Sequence, residues 1–465
     1  MMERPEYEGF FGGAAGGGKS DFLLVEALRQ VHIPHYTAII FRKTYPQLSE
    51  LIDRSRYLYK GAFPKAKYNG TEHAWTFPSG AKIYFGNLNR PADKIKYQGK
   101  RYDFIGFDEL THFTWEEYSY LYSRNRPSGP GTRVYRRATG NPGGIGHGWV
   151  KQYFVKAGPP MQPIKTEVEI IGPDRKPIIL SRKKIFVPSS VFDNQKLLEN
   201  DPNYLANLAM MDEQDRDALL YGNWDSFTGQ VFMEWRDDPE GYQSQRFTHV
   251  IEDFDIPHSW RIYRGFDFGY ARPFSVGWHA IDHDGKMYRI REWYGCTKTP
   301  NTGIKLTPQQ IAKGIREIEN SDPNLKGREI IGIADPSIYD RSRGESVGEM
   351  MESCGVYFRP ADNTRLAGKM QFHYRLAFDE EGIPMLYVFK SCKDFIRTVP
   401  ALVYDDVKVE DINTDQEDHI YDECRYVMME HPLNPRRNTI TVPQPVEDPL
   451  NMMEKSKQDR YFYRI

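Results

Sequence analysis

Two groups of residues in this sequence have the types and spacing needed for chemistry on phosphate esters. The segment from Gly13 to Ser20, GAAGGGKS, has the spacing of a loop that wraps nucleotide phosphates. Far along the chain, Asp267, Asp335 and Asp422 with His419 offer ligands that suit divalent cations. The first group predicts hydrolysis of a nucleoside triphosphate, and the second predicts metal-dependent cleavage of a phosphodiester.

The phosphate loop stands between a predicted strand and a predicted helix. Residues 9–12 are short and apolar, and apolar residues recur at helical spacing from Asp21 to Gln30. This context favours a P-loop over an accidental glycine-rich turn. Backbone N–H groups would bind the phosphates, Lys19 would reach the outer phosphates and Ser20 would bind Mg²⁺. The predicted nucleotide-binding glycines are Gly13, Gly16, Gly17 and Gly18.

An acid pair follows another predicted strand. Phe104 to Phe107 is apolar and leads into Asp108 and Glu109, and acids at the carboxyl end of a strand in an open α/β sheet lie at the ligand crevice. Asp108 is expected to bind nucleotide-associated Mg²⁺, and Glu109 to polarise the attacking water. A later strand, from Arg133 to Thr139, leads to Asn141, which is expected near the γ-phosphate. A simple Gly-Asn-Pro turn remains the alternative there.

The second half of the chain begins with three predicted antiparallel strands. Their ranges are 261–269, 275–281 and 286–293. A helix opened by a capping box at Thr307 follows, and then a buried strand from Glu329 to Ala334. This order is typical of a ribonuclease H-like fold. Asp267 lies near the end of the first strand, and Asp335 directly follows the fourth.

A late helix, predicted from Asp415 to Glu430, completes the second group. Asp418, His419 and Asp422 can share one face of this helix. Carboxylates gathered from two strands and a helix repel one another unless cations neutralise them, so two Mg²⁺ or Mn²⁺ ions are expected. Any one acid alone is more often a helix cap or a solvated charge, and only their joint placement favours a site. Glu292 and Asp418 are supporting candidates.

The composition predicts a soluble, intracellular protein of several domains. The 465 residues, 39% of them hydrophobic, exceed one ordinary core. The net charge of −2 excludes a uniformly basic DNA-binding protein but permits a local basic groove. No apolar run approaches the ~18 residues of a membrane span, and the four cysteines lack the spacing of a zinc site or disulfide framework. The predicted organisation is an α/β nucleotide-binding domain at 1–230, a linker at 231–255, a nuclease domain at 256–440 and a tail at 441–465.

The order of four segments resembles the large terminase subunit of tailed bacteriophages. The segments are GGAAGGGKS, YQGKRYDFIGFDE, ATGNPGG and LLYGNWDSFTGQVF, and the resemblance extends from about Gly9 to Met429. It implies an N-terminal P-loop ATPase of the ASCE type and a C-terminal ribonuclease H-like nuclease. The matching positions are Lys19, Ser20, Asp108, Glu109 and Thr139 to Asn141 for the ATPase, and Asp267, Asp335, Asp422 and His419 for the nuclease.

The resemblance also implies what the protein works with. ATP and Mg²⁺ would drive double-stranded DNA into an empty capsid, and two Mg²⁺ or Mn²⁺ ions would serve the nuclease that cuts concatemeric DNA. The implied partners are a portal protein and a small terminase subunit. The chain would form a homo-oligomeric ring when packaging, with a monomer possible in solution, and would work in the host cytoplasm at the portal vertex, away from any membrane. The tail would dock on the portal.

Three departures from the family pattern concern the nucleotide site. Ala15 and Gln98 stand where many members carry arginines, so the source of an arginine finger is open. The candidates are Arg42, Arg101, Arg124 and Arg126, each of which an ordinary surface or phosphate-contacting role also explains. The helical lead-in that holds the adenine in the family is expected to be shortened or missing.

Two other functions remain open from the sequence. One is a cellular helicase-nuclease, which additional helicase motifs between Lys19 and Asp108 would support; none is seen there. The other is an ATP-gated DNA-binding protein with a decayed nuclease, against which the three intact acids argue.

Overall fold

Two sheets with different strand orders dominate the molecule. The computed structural model describes residues 1–225, 227, 229–342, 344–405 and 408–433, and residues 1–431 form one compact unit. The tail predicted at 441–465 lies outside the described residues. Within the described ranges, no helix is long and apolar enough to cross a membrane.

The first sheet has nine strands in the order β3-β4-β5-β2-β6-β7-β1-β9-β8. Its strands are β1 Glu8–Gly13, β2 Thr37–Arg42, β3 Lys67–Asn69, β4 Ala74–Thr76, β5 Lys82–Asn87, β6 Phe104–Phe107, β7 Tyr135–Gly140, β8 Ile164–Ile171 and β9 Pro177–Ser189. The six strands from β5 to β9 in this order are parallel, and β3, β4 and β8 are antiparallel to their neighbours. One strand, β7, separates the P-loop strand β1 from the acid-bearing β6. This is the ASCE arrangement that the resemblance implied.

Helices cover both faces of this sheet. They are α1 Lys19–Ala27, α2 Tyr45–Ala62, α3 Trp115–Tyr120 and α4 His147–Val150, which runs on as a π-helical turn at Lys151–Val155. Leu23, Leu24, Ile52 and Tyr59 form part of the core on one face, and Phe10, Phe107 and Phe154 form part of the core on the other. The central strands β2 and β6 are apolar and buried over most of their length because both faces of the sheet are covered.

Short helices fill the segment between the sheets. They are α5 Gln195–Asn200, α6 Tyr204–Ala209 and α7 Glu213–Leu219. Asp212 caps α7 by accepting hydrogen bonds from the N–H groups of Gln214 and Asp215. Val191, Leu208 and Leu220 form a small core of their own here. This segment packs against the P-loop, as described below.

The second sheet has seven strands in the order β10-β16-β13-β12-β11-β14-β15. Its strands are β10 Val250–Ile251, β11 Arg261–Asp267, β12 Ser275–Ile281, β13 Met287–Tyr294, β14 Ile330–Ala334, β15 Arg359–Pro360 and β16 Leu386–Phe389. The strands β11, β12 and β13 are antiparallel, and β14 joins β11 in parallel. This is the ribonuclease H-like arrangement that the element order predicted.

Five helices accompany the second sheet. They are α8 Pro308–Ser321, α9 Val347–Glu352, α10 Arg365–Leu376, α11 Lys393–Thr398 and α12 His419–Glu430. The predicted capping box is present, because Thr307 and Gln310 exchange hydrogen bonds at the start of α8. Helix α12 packs across β11 and β12 and against α10.

The predicted start of the late helix at Asp415 was wrong. Helix α12 begins at His419, and Asp418 is its N-cap rather than a residue of its first turn. The Gln416 side chain donates to the carbonyl oxygens of Val403 and Asn413, and the Glu417 carboxylate accepts from Arg397. These long-range contacts hold the preceding residues in a turn and override their helix propensity.

Candidate nucleotide-binding and nuclease sites

The predicted nucleotide residues converge at one edge of the first sheet. Phe41 on β2 pairs with Phe107 on β6, and Phe11 on β1 pairs with Thr139 on β7. The carboxyl ends of these parallel strands therefore meet, and the P-loop, Asp108 and the turn after β7 follow directly. This is the place at which open α/β sheets bind ligands.

The P-loop has a conformation that depends on its glycines. Gly16 and Gly18 have φ of 72° and 75°, in the left-handed region, and Gly18 is the N-cap of α1. Lys19 is buried and its ammonium group donates to the carbonyl oxygen of Ala14. Burial lowers the pKa of Lys19 to about 8, although the charges of Glu109 and Asp108 oppose the shift. The lysine is thus positioned inside the loop, close to both acids.

Asp108 is the centre of a buried hydrogen-bond cluster. The Ser20 hydroxyl lies 3.3 and 3.2 Å from its two carboxylate oxygens, and the Thr139 hydroxyl donates to Oδ1 at 2.6 Å. Arg42 donates to Oδ2 from Nε at 2.7 Å. The structure therefore brings Ser20 and Asp108 together, as the predicted magnesium site requires.

Glu109 has a strained backbone and contacts Asn141. Its φ of 55° and ψ of 61° are left-handed, which is unusual for a residue with a long side chain. Its carboxylate accepts from the backbone N–H of Asn141 at 3.2 Å and from the Asn141 side chain at 3.4 Å. The two residues predicted to meet the attacking water and the γ-phosphate are therefore in contact.

The segment after β9 closes over the P-loop. Ala14 N–H donates to the carbonyl oxygen of Ser189 at 2.9 Å, and Ala15 N–H donates to that of Leu219 at 2.7 Å. The Asn194 side chain donates to the carbonyl oxygen of Gly16 at 2.6 Å. These contacts were not predicted from the sequence, because nothing in the composition of residues 189–219 indicates that they contact the P-loop.

In the second half, β11 and β14 place two acids side by side. Phe266 pairs with Ala334 in a parallel register, so Asp267 and Asp335, one residue further on, leave neighbouring strands at the same edge. Asp335 accepts from the N–H of Ser337 at 2.8 Å. Adjacent strands lie ~4.8 Å apart, which brings the two carboxylates within each other's electrostatic field.

The first turn of α12 brings the remaining predicted residues to this edge. His419 Nδ1 lies 3.0 Å from Asp267 Oδ2, and His419 Nε2 lies 3.3 Å from Asn301 Oδ1. Asp422 accepts from Arg425 Nη2 at 2.8 Å, and Arg365 Nη1 lies 3.6 Å away. All four predicted nuclease residues therefore belong to one group.

Ionisation in this group is coupled through space. Burial raises the pKa of Asp267, and the charges of Asp422 and Asp335 add to the shift. Burial opposes the charged form of His419, but the hydrogen bond to Asp267 and the surrounding carboxylates outweigh it and raise its pKa. Burial raises the pKa of Asp418 to about 7. Negative charge is thus concentrated here, and it favours the protonated form of His419.

Three further residues at the second site were missed from the sequence. The Tyr426 hydroxyl donates to Asp335 Oδ2 at 3.1 Å, and the Asn363 side chain lies 3.4 Å from the same oxygen. Asn301 lies on the loop after β13 and contacts His419. Only Tyr426 had a usable signal, because it follows Asp422 by four positions on one helix.

The supporting candidates have other roles. Glu292, whose side chain is 8% exposed, accepts from the N–H groups of Asp394 and Phe395 at the start of α11, away from the carboxylate group. The basic pair Arg365 and Lys369, which the sequence left open between a DNA groove and a solvated face, is engaged within the chain. Arg365 donates to Asp411 at 2.8 Å, and Lys369 is only 4% exposed.

A family match covers the half of the chain that carries the first site. Residues 10–234 match the sequence model of the family terminase large subunit, T4likevirus-type, N-terminal. This match covers just under half of the chain and assigns those residues to the large terminase family. This is a family of phage DNA-packaging motor proteins.

Solved structures of large terminases are also similar to this chain. That of the thermophilic bacteriophage D6E, in complex with ATP-γ-S, is 17% identical over 91% of this chain and 93% of that chain, with a TM-score of 0.37. That of bacteriophage HK97 is 9% identical over 91% and 90%, with a TM-score of 0.43. The P22 large terminase nuclease domain is 17% identical over 44% of this chain and 92% of that chain, with a TM-score of 0.33. No curated protein matches the chain.

The second site of the chain fits divalent cations by donor type. Three carboxylates are the ligands that Mg²⁺ and Mn²⁺ prefer. Within the described ranges, however, no group of three or more histidine, cysteine, aspartate or glutamate side chains is arranged to hold a metal ion. Asp267, Asp335 and Asp422 are each turned towards a protein donor. Cations bound here would compete with these donors for the carboxylate oxygens.

A cavity of about 420 Å³ lies between the two halves of the chain. Trp115 and Trp149 line it from the first half, and Asn301, Arg397 and Glu417 line it from the second. It contains neither set of catalytic candidates. It borders Asn301, whose Oδ1 lies 3.3 Å from His419 Nε2.

Proposed function

We propose that the chain is the large terminase subunit of a tailed phage, with ATP-driven translocation of double-stranded DNA in its first half and DNA cleavage in its second. The main support is the convergence of Lys19, Ser20, Asp108 and Glu109 at one sheet edge. The grouping of Asp267, Asp335, Asp422 and His419 at another supports the nuclease. The domain division at 1–230, 231–255 and 256–440 is part of this proposal.

In the first half, ATP phosphates would lie on the backbone N–H groups of Gly16 to Gly18 and at the start of α1. Lys19 would leave the carbonyl oxygen of Ala14 for the outer phosphates, and Glu109 would orient the attacking water and accept its proton. Mg²⁺ held by Ser20 and Asp108 would supply positive charge to the phosphates. Asn141, bonded to Glu109, would report loss of the γ-phosphate to α4.

In the second half, Asp267, Asp335 and Asp422 would hold the scissile phosphodiester near an attacking water with the help of cations. Two Mg²⁺ or Mn²⁺ ions would supply charge for the attacking and leaving oxygens. His419 is placed to exchange a proton with Asp267. Tyr426 would keep the orientation of Asp335.

The wider assignment follows from the family. The partners would be a portal protein and a small terminase subunit, and the chain would act as a homo-oligomeric ring at the portal vertex in the host cytoplasm. A monomer is compatible with the chain in solution.

The test is a pair of assays on the full chain: ATP hydrolysis, and plasmid nicking with Mg²⁺ or Mn²⁺. Lys19→Ala should abolish ATP turnover and leave nicking, and Asp335→Ala should do the reverse. Matched controls are Lys65→Ala and Asp284→Ala, two exposed residues outside both sites. Loss of both activities in either site variant would contradict two independent sites.

One observation favours a second candidate, an ATP-gated DNA-binding protein with a decayed nuclease. Asp422 is already neutralised by Arg425, and no cluster of metal ligands is formed among the described residues. Calorimetric titration of Mn²⁺ into the wild type and Asp267→Asn decides between the candidates. Binding that the substitution removes supports the nuclease, and no binding to either protein supports decay.

A further inference from the structure

Arg42 lies at the edge of the predicted nucleotide site, where it is paired with an acid. It is the last residue of β2, and its guanidinium contacts Asp108 Oδ2 through Nε at 2.7 Å and Nη2 at 2.6 Å. Its side chain is 15% exposed, and that of Asp108 is 1% exposed. A buried carboxylate is therefore neutralised by a guanidinium that stands at the edge of the predicted phosphate site.

Cation binding at Asp108 changes this arrangement. Asp108 already accepts from Thr139 and lies near Ser20, so Arg42 is its only ionic partner among the described residues. If the Mg²⁺ that accompanies ATP binds the Asp108 carboxylate, the guanidinium of Arg42 loses its counter-ion in a site of low dielectric. The strongest new anion within this edge of the sheet would be the triphosphate.

We propose that Arg42 is the arginine finger of this ATPase, supplied within the same chain. Until MgATP binds, Arg42 remains in its ion pair with Asp108. This inference rests on the proposed ATP hydrolysis. In that reaction a water oxygen bonds to the γ-phosphorus, the bond to the bridging oxygen breaks, and Glu109 takes the proton of the water. Arg42 neutralises charge on the γ-phosphate oxygens as this occurs.

The other candidates lie at the far end of the neighbouring strand. Tyr102 N–H donates to the carbonyl oxygen of Arg124, and Arg126 N–H donates to that of Tyr102. Both arginines therefore lie beside Tyr102 at the start of β6, whose four residues separate them from Asp108 by ~13 Å of strand. Arg101 precedes β6 and is exposed. Within one chain, only Arg42 among the four reaches the site.

The first experiment compares Arg42→Ala and Arg42→Gln with the wild type in the full chain. A finger contributes ~10³-fold or more to turnover, so kcat should fall by at least about that factor. MgADP binding should be unchanged, whereas the complex of ADP with aluminium fluoride, which mimics the transferring phosphoryl group, should no longer form. Free guanidinium should restore part of the turnover of Arg42→Ala. Equal loss of MgADP and of the aluminium fluoride complex would show a structural role and overturn the proposal.

The second experiment asks whether the arginine acts within its own chain. Arg42→Ala is mixed with Lys19→Ala, each inactive for a different reason. A finger in the same chain cannot be complemented, so the mixture should stay inactive; recovery of turnover would overturn the assignment. Arg126→Ala, an exposed rival, is the matched control and should keep wild-type turnover. A wild type without ATPase activity refutes the proposed function, whereas an active wild type with an equally active Arg42→Ala refutes this inference alone.

Discussion

Replacing Glu423 by alanine should destabilise the second half of the molecule selectively. Glu423 lies on α12 next to Asp422 but faces the sheet and is fully buried. Arg289 Nη1 donates to its Oε2 at 2.9 Å, and the Ser275 hydroxyl donates to the same oxygen at 3.2 Å. Arg289 is also fully buried. The substitution therefore removes one of the two carboxylate partners of a buried guanidinium, the other being Glu292, whose Oε2 lies 3.3 Å from Arg289 Nε.

The magnitude follows from the state of this network. Removing one member of a buried ion pair costs about 3–5 kcal/mol. Glu423→Gln keeps a hydrogen-bond acceptor and should cost about 1–3 kcal/mol. Glu423 Oε1, Arg289 Nη2 and His279 Nδ1 have no hydrogen-bond partner, so the network is incompletely satisfied and the lower part of each range is expected. Burial raises the pKa of Glu423 to about 7, so the measurement belongs near pH 8, where the carboxylate is ionised.

Hydrogen exchange resolved along the full chain is the suitable assay, because it reports the two halves separately. If Glu423→Ala lowers the free energy of unfolding by about 3 kcal/mol, amides of α12 and β11 should exchange roughly a hundredfold faster than in the wild type. Amides of β6 in the first half should not change. Glu252→Ala is the matched control: its pair with Lys390 has both side chains more than half exposed, and it should cost no more than about 1 kcal/mol. Unchanged exchange in α12 would refute the reasoning, as would equal acceleration in β6.

Three other predictions concern the remaining elements. Burial lowers the pKa of His147 to about 3. Below pH ~6.5 only the unfolded chain therefore takes up this proton, and the free energy of unfolding should fall by about 1.4 kcal/mol per pH unit. Denaturant unfolding at pH 7 and pH 5 should show a smaller fall in His147→Gln than in the wild type. Gly13→Ala should weaken MgATP binding at least about tenfold in calorimetry. Gly13 has φ of 139°, and a Cβ at this position would lie 2.6 Å from the Ser189 carbonyl oxygen. The control is Gly70→Ala, whose added Cβ meets nothing within 4 Å and which should bind MgATP normally. Thr307→Ala should lower stability by about 0.5–2 kcal/mol in thermal unfolding through loss of the α8 cap, and an unchanged melting temperature would contradict that role.

The local sequence pattern was sufficient to predict the strands that are covered on both faces of their sheet. The strands predicted at residues 104–107 and 275–281 have those bounds in the structure. A continuous apolar run between turn residues indicates both the type of the element and the residues at which it begins and ends. The same holds for the P-loop, whose glycine spacing specifies a conformation that few other sequences adopt.

Pattern failed where distant contacts decide a local structure. The residues before α12 have helix propensity, but Gln416 and Glu417 are held in a turn by Val403 and Arg397. The basic pair of α10 appeared available to a partner, yet Arg365 is bonded to Asp411. A one-dimensional pattern contains no information on which charged side chain meets which.

The sequence by itself determined the chemistry that the chain can offer: a phosphate loop, an acid pair after a strand, and three carboxylates with a histidine on separated elements. It also determined the order of strands and helices, because hydrophobic periodicity and turn residues act over a few positions. Only the tertiary structure decided which of these groups meet. It placed Arg42 on Asp108, Tyr426 on Asp335 and Arg289 on Glu423, because such pairings depend on strand order and register over tens to hundreds of residues.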